Sequence, residues 1–233
     1  MSAARSTAAY YGQLARARLG LGTLALAAPS ATPDKQERLE LVRAVEILYA
    51  LDERPLIIPL MADVGDKLDD IGALSALGEL AERYQDARGM LQLGKAALAR
   101  GLPLDYYAFP TMGVPRYSPV APAIDSALLF AMIRQESAFN PADLSSANAM
   151  GLMQVTPISA RDTCKRFSCT YDVKRLKNDT NWLGSRYNLA IIGQTAPFTP
   201  RLEPARSQSL IVHCGCLRAT EAGLRLLSEG TAG

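Results

Sequence analysis

Between residues 33 and 101 apolar side chains return every three or four positions, and this spacing constrains the fold more than any other feature of the chain. Leu39, Val42, Val45 and Leu48 follow one another at intervals of three, with charged residues between them. Leu74, Leu77, Leu80 and Ala81 repeat the pattern over 71–84, and Met90, Leu93, Ala97 and Leu98 repeat it over 86–100, with Gly101 as a stop. Such spacing lines one face of an amphipathic α-helix. Pro55 and Pro59 are expected to interrupt the chain between the first two helices, because proline removes a backbone donor and clashes with the preceding turn. Short amphipathic helices with tight connections stack as helical hairpins, so residues 1–102 are expected to form a superhelical, solenoid-like region. No strand-rich stretch is present, and the predicted class is all-α.

Five of the 14 prolines, Pro103, Pro110, Pro115, Pro119 and Pro122, fall within 20 residues, interleaved with Tyr106, Tyr107, Phe109 and Tyr117. Residues 103–122 therefore read as an ordered connector and a domain boundary. A helix is expected over 123–139, closed by Asn140 and Pro141, followed by the small-residue loop ADLSSANAMG and then LMQVTPISARDTCKRF. One more helix is expected near 181–192. Beyond residue 194 the periodicity fails, and 195–233 reads as an irregular tail.

Composition narrows the function. Lysines and arginines number 25 against 23 acids, a net charge of +2, without the basic excess of a nucleic-acid binder. The basic residues within 161–177, Arg161, Lys165, Arg166, Lys174, Arg175 and Lys177, read as a solvated face. No apolar run is long enough to span a membrane. Arg5, Arg16 and Arg18 precede an apolar run over 19–28 that has some character of a secretory leader. Gly20, Gly22 and Thr23 break that run, which favours an ordinary helix followed by a loop. His213, Cys214 and Cys216 offer three ligands with nothing nearby to complete a tetrahedron, so no metal or other cofactor is expected. Cys164 and Cys169 are close enough in sequence to pair in an oxidising compartment.

The chemistry centres on Glu136. Counting back in fours gives Met132, Leu128 and Ile124, so the glutamate ends an apolar stripe on one helix face. A carboxyl group drawn out of water favours its neutral form, and an acid shifted upward can donate a proton and later take one back. The ordinary alternatives are a helix that ends there with the side chain in solvent, or a glutamate neutralised by Arg134.

The flanking residues carry further information. Glu136 and Ser137 at a helix end, with Phe139, Asn140 and Pro141 following, and then Gly151, Leu152, Met153 and Gln154 with Pro157 in register, resemble the two leading motifs of the soluble lytic murein transglycosylase family. Its SLT domain has a goose-type-lysozyme-like fold. The stretch AYYGQLARARLG and the helical hairpins look like the superhelical region that precedes this domain in the larger members. The resemblance implies a helical-hairpin superhelix followed by a lysozyme-like α domain at 123–194, which would be partial.

It also implies a reaction: cleavage of the β-1,4 bond between N-acetylmuramic acid and N-acetylglucosamine, yielding a 1,6-anhydromuramoyl product. The partner would be peptidoglycan glycan strands, the compartment the periplasm or cell envelope, and Glu136 the single acid and base. Ser137, Ser145, Gly151, Met153 and Gln154 would contact substrate. Thr156 stands where some members carry a second methionine. The family's third motif, Tyr-Asn-Ala-Gly, has no counterpart in register, since Tyr187–Asn188 comes too early. The likeness is expected to stop near residue 190, with a truncation or shifted reading frame after it. Two other readings stay open: a non-catalytic helical module binding peptidoglycan or a protein, and a hydrolytic goose-type lysozyme.

Overall fold

The structure, a computed structural model, describes residues 10–21, 26, 36–115, 126–166, 168 and 170–172. Its helices are α1 (Tyr10–Arg18), α2 (Gln36–Ala50), α3 (Arg54–Lys67), α4 (Ile71–Arg83), α5 (Ala87–Ala99), the 3-10 helix Asp105–Ala108, α6 (Ser126–Glu136) and α7 (Pro157–Arg166). Among the described residues there is no strand, only isolated bridges between Leu144 and Met150 and between Met150 and Val155. The class is all-α. The chain divides into two compact units: Ala25–Pro115 with Ala138–Asn140, and Met1–Leu24 with Arg116–Ser137 and Pro141–Gly233.

The first unit is built on α2–α5. Asp70 and Asp86 start α4 and α5 by accepting hydrogen bonds from the backbone N–H groups of Ala73 (3.0 Å) and Gly89 (2.9 Å), which satisfies a donor that every helix start leaves open. The periodic positions meet inside: Val45, Leu74, Leu77, Leu80, Met90, Leu93 and Ala97 share one buried cluster. Arg100 closes the far end of α3, donating to the carbonyls of Gly65 (3.1 Å) and Leu68 (2.8 Å). A cation belongs there, at the negative end of the helix.

Two features depart from the sequence reading. The prolines do not interrupt the chain between α2 and α4. Pro55 lies in the first turn of α3 and Pro59 inside it. The first turn has no use for a proline's missing N–H. At Pro59 the helix continues because Ile57, Met61 and Val64 on either side are buried in the core, and that burial outweighs one lost backbone bond. The proline-rich stretch also contributes its first half to this core. Tyr107 is fully buried, and its hydroxyl donates to the Ser75 carbonyl at 3.1 Å. Gly78 and Gly94 make room for it. A Cβ on Gly78 would come within 2.5 Å of the Tyr107 ring, and one on Gly94 within 2.2 Å of the Ala108 backbone nitrogen.

A second node joins α2 to α5. The Tyr49 hydroxyl donates to the free carboxylate oxygen of Asp86 at 3.0 Å, while the Tyr49 ring stacks on Tyr84 with centroids 4.5 Å apart. Burial, with the Asp86 charge beside it, pushes the Tyr49 hydroxyl far above its ordinary range, so it stays protonated and keeps donating.

The second unit holds α1, α6, the loop that follows it and α7. The helix expected over 123–139 is described from Ser126 and ends at Glu136. It stops there because Ala138 (φ 50°) and Phe139 (φ 61°) are left-handed, a conformation that breaks the helical ladder. Cys164 is buried and disulfide-bonded; Cys169 lies outside the described residues. So do the region near 181–192, Tyr187 and Asn188, His213, Cys214, Cys216 and the tail 195–233.

Candidate functional site at the end of helix α6

Helix α6 buries Ala127, Leu129, Ala131 and Ile133. The stripe that leads to Glu136 lies beside this face: Met132 is half-buried and Glu136 itself is exposed, while Ile124 and the Leu128 side chain are outside the description. Glu136 thus stands at the rim of the core, where α6 stops. Burial by the surrounding protein still raises its carboxyl above the ordinary glutamate range. No cation among the described residues contributes to lower it again. A carboxyl at a rim is drawn partly out of water yet stays open to a ligand, which is what a proton-transfer group requires.

Ser137 follows as a buried residue, and its hydroxyl donates to the carbonyls of Leu152 at 2.9 Å and Ile133 at 3.3 Å. This bond ties the end of α6 to the loop carrying Gly151, Leu152, Met153 and Gln154. The loop is a closed turn. Met150 and Val155 exchange backbone hydrogen bonds, each 3.1 Å, leaving four residues between them. Gly151 takes a left-handed conformation (φ 73°) that glycine adopts without steric cost, and its N–H donates to the Asp143 carbonyl at 2.9 Å. Gln154 is also left-handed (φ 48°). Its amide donates to the Asp143 and Gly151 carbonyls at 3.2 and 3.0 Å, so the side chain braces the turn.

The upstream part of the loop is just as constrained. Ser145 donates its N–H to the Ala149 carbonyl (2.9 Å), and its hydroxyl accepts from the Ala149 N–H (3.0 Å). Asn148, between them, is left-handed at φ 59°. Met153, like Leu152 and Val155, is buried. The Ser137–Leu152 bond thus joins the end of α6, which carries Glu136 and Ser137, to the turn that carries Gly151, Met153 and Gln154, with Ser145 in the same loop.

Sequence reasoning missed the role of Thr156. Its hydroxyl accepts from the Ser159 N–H at 3.2 Å and so caps α7, with Pro157 opening the helix. Threonine, asparagine or serine before a helical proline is the signal that identifies such a cap. Gln154, Val155, Thr156, Ser159, Asp162, Thr163 and Arg166 line an open hollow along α7. Glu136 is not part of its lining.

The upward shift at Glu136 carries a stability consequence. A carboxyl whose value is raised by folding leaves the fold at full stability below the ordinary glutamate range, and stability is lost as the pH rises through the raised value. Glu136→Gln never charges. Thermal denaturation should therefore give this variant a higher Tm than the native chain near pH 7, with the difference vanishing below about pH 4. Equal melting temperatures across that range would show that the fold exerts no desolvation on the acid.

The family model for the transglycosylase SLT domain matches residues 116–183. No curated protein matches the chain. Among solved structures, the chain is similar to the 70 kDa soluble lytic transglycosylase Slt70 from Escherichia coli, with a TM-score of 0.52 and 23% identity. It is similar also to the complex of the 70-kDa soluble lytic transglycosylase with bulgecin A, with a TM-score of 0.51 and 23% identity. In both cases the alignment covers 78% of this chain and 29% of the other, so the chain spans under a third of the structures it matches and shares their fold. Residues 116–183, the stretch that matches the transglycosylase SLT domain, hold both the Glu136–Ser137 pair and the turn that Ser137 anchors.

Proposed function

We propose that the chain is a lytic transglycosylase acting on peptidoglycan glycan strands at the β-1,4 bond between N-acetylmuramic acid and N-acetylglucosamine. The observation that carries this reading is Glu136 at the rim of α6, raised by burial and joined through Ser137 to the Leu152 carbonyl within the family match. In its neutral form Glu136 protonates the glycosidic oxygen as the bond breaks. The resulting carboxylate then takes the proton from the muramoyl C6 hydroxyl, which attacks the anomeric carbon and closes the 1,6-anhydro ring. Glycosidases that use water ordinarily need a second carboxylate. Here the substrate supplies the nucleophile, and one acid serves both steps.

Met153 and Gln154 are proposed to shape the cleft floor beside the acid, with Ser145 and Gly151 offering polar contacts to the sugar. Ser137 is proposed to hold the acid's helix end on the turn. Among the described residues no helix is long and apolar enough to cross a membrane, and the proposed site of action is the periplasm or cell envelope. The test is to incubate the purified protein with isolated cell-wall sacculi and analyse the products by mass spectrometry. Anhydromuropeptides are expected. Products with reducing ends would assign a hydrolytic lysozyme instead, and binding without any product would leave a peptidoglycan-binding module.

A further inference from the structure

We infer that Gln154 meets the glycan strand as a hydrogen-bond acceptor only, through Oε1, and so selects a sugar that presents an O–H or N–H there. The inference rests on the proposed glycan substrate and deepens it to the chemistry of one contact. A primary carboxamide has two N–H donors and one carbonyl oxygen. What a ligand can use of them depends on what the fold has already taken.

At Gln154 the fold takes both donors. Nε2 donates to the Asp143 carbonyl at 3.2 Å and to the Gly151 carbonyl at 3.0 Å, within the ordinary range of N–H···O bonds. These neighbours fix which way the amide faces, a question that atom size alone leaves open. Turned over, the side chain would set Oε1 against two carbonyl oxygens with no hydrogen between them. The two carbonyls are themselves in use. Asp143 also accepts from the Gly151 N–H at 2.9 Å, and Gly151 also accepts from the Gln154 N–H at 3.1 Å. Each carbonyl oxygen thus receives two hydrogen bonds, one for each lone pair. A sugar oxygen wins a hydrogen from Nε2 only by taking it from a loop carbonyl, which exchanges one bond for another and gains little.

Oε1 is the polar atom that remains. Among the described residues no donor is bonded to it. Gln154 is partly exposed and lines the open hollow along α7, so a ligand can reach the side chain. A contact of this kind discriminates. A sugar hydroxyl, or the N–H of an acetamido group, donates to Oε1. An ether, ester or carbonyl oxygen in the same place faces oxygen with oxygen and is rejected. Sites built to bond a substrate O–H or N–H discriminate strongly against analogues that lack it.

The experiment is nuclear magnetic resonance on the full chain carrying Glu136→Gln, which keeps the probe intact. The probe is a peptide-free tetrasaccharide of alternating N-acetylglucosamine and N-acetylmuramic acid. Gln154→Met in the same background identifies the Gln154 amide signals by their loss. In the free protein both Nε2 protons should exchange with water at least about tenfold more slowly than those of an exposed glutamine, as bonded hydrogens do. At saturation with the probe both should stay protected, while the Gln154 carboxamide carbon moves downfield as Oε1 accepts a hydrogen bond. Gln154→Met should bind the probe about fivefold more weakly, the net value of one neutral hydrogen bond.

Nε2 protons that exchange freely, or that lose protection when the probe binds, would overturn the inference. A carboxamide carbon unmoved at saturation would overturn it as well. If the chain neither binds the tetrasaccharide nor digests sacculi, the glycan substrate is wrongly assigned and this inference falls with it. If sacculi are digested while the carboxamide carbon stays unmoved, only the role of Oε1 falls.

Discussion

Glu136→Gln is expected to lose at least about a thousandfold in turnover of peptidoglycan, within the range that a positioned general acid contributes. Glutamine keeps the length and volume of the side chain, so the end of α6 and the Ser137–Leu152 bond should persist. What it cannot do is give up a proton to the glycosidic oxygen or take one from the C6 hydroxyl. Both proposed steps fail at once, because the proposed mechanism assigns both to this one carboxyl. The same variant should melt no lower than the native chain at neutral pH, since burial disfavours the charged carboxylate. Loss of activity with equal or greater stability separates a chemical role from a structural one. A variant that was both inactive and unfolded would place Glu136 among the residues that hold the fold.

The second large effect concerns Tyr107. Truncation by Tyr107→Ala should destabilise the unit built on α2–α5 by about 3–5 kcal/mol in urea denaturation, the usual cost of removing a buried aromatic ring. The ring is fully buried, lies over Gly78 and meets Tyr106 edge-on with centroids 5.4 Å apart. Tyr107→Phe should lose only about 1 kcal/mol, the net value of its hydrogen bond to the Ser75 carbonyl. Gly78→Ala supplies an internal check. Its methyl group strikes the ring in the native chain and meets empty space in Tyr107→Ala, so its cost should fall sharply in the second background. Additive costs would mean that the ring does not occupy the slot over Gly78.

The two regions differ in how much of them could be read from the sequence. Helices α2, α4 and α5 were legible because their apolar positions recur with the helical period, and Val45, Leu74, Leu77, Leu80, Met90, Leu93 and Ala97 are all buried where that period places them. Helix α3 was hidden by Pro55 and Pro59, since local proline rules carry no information about how much apolar surface the surrounding turns bury. Tyr107 was hidden for a related reason. A proline-rich context reads as connector, and only the facing glycines on α4 and α5 reveal the slot that the ring fills.

At the site, the Glu-Ser and Gly-Leu-Met-Gln patterns were visible as motifs, and the family match covers both. Their physical connections were not. The Ser137–Leu152 bond spans 15 residues and leaves no periodic trace. The apolar stripe through Met132 suggested that Glu136 faces the core. It stands instead at the rim, because α6 is buried around Ala131 and Ile133 and ends at the glutamate itself.

In the proposed mechanism Glu136 alone drives an intramolecular cleavage of the glycan strand. Mass spectrometry of sacculi digested in parallel by the native chain and by Glu136→Gln tests it most directly. The native chain is expected to release 1,6-anhydromuramoyl products and the variant none. Reducing-end products from the native chain, or anhydro products from the variant at the native rate, would contradict it.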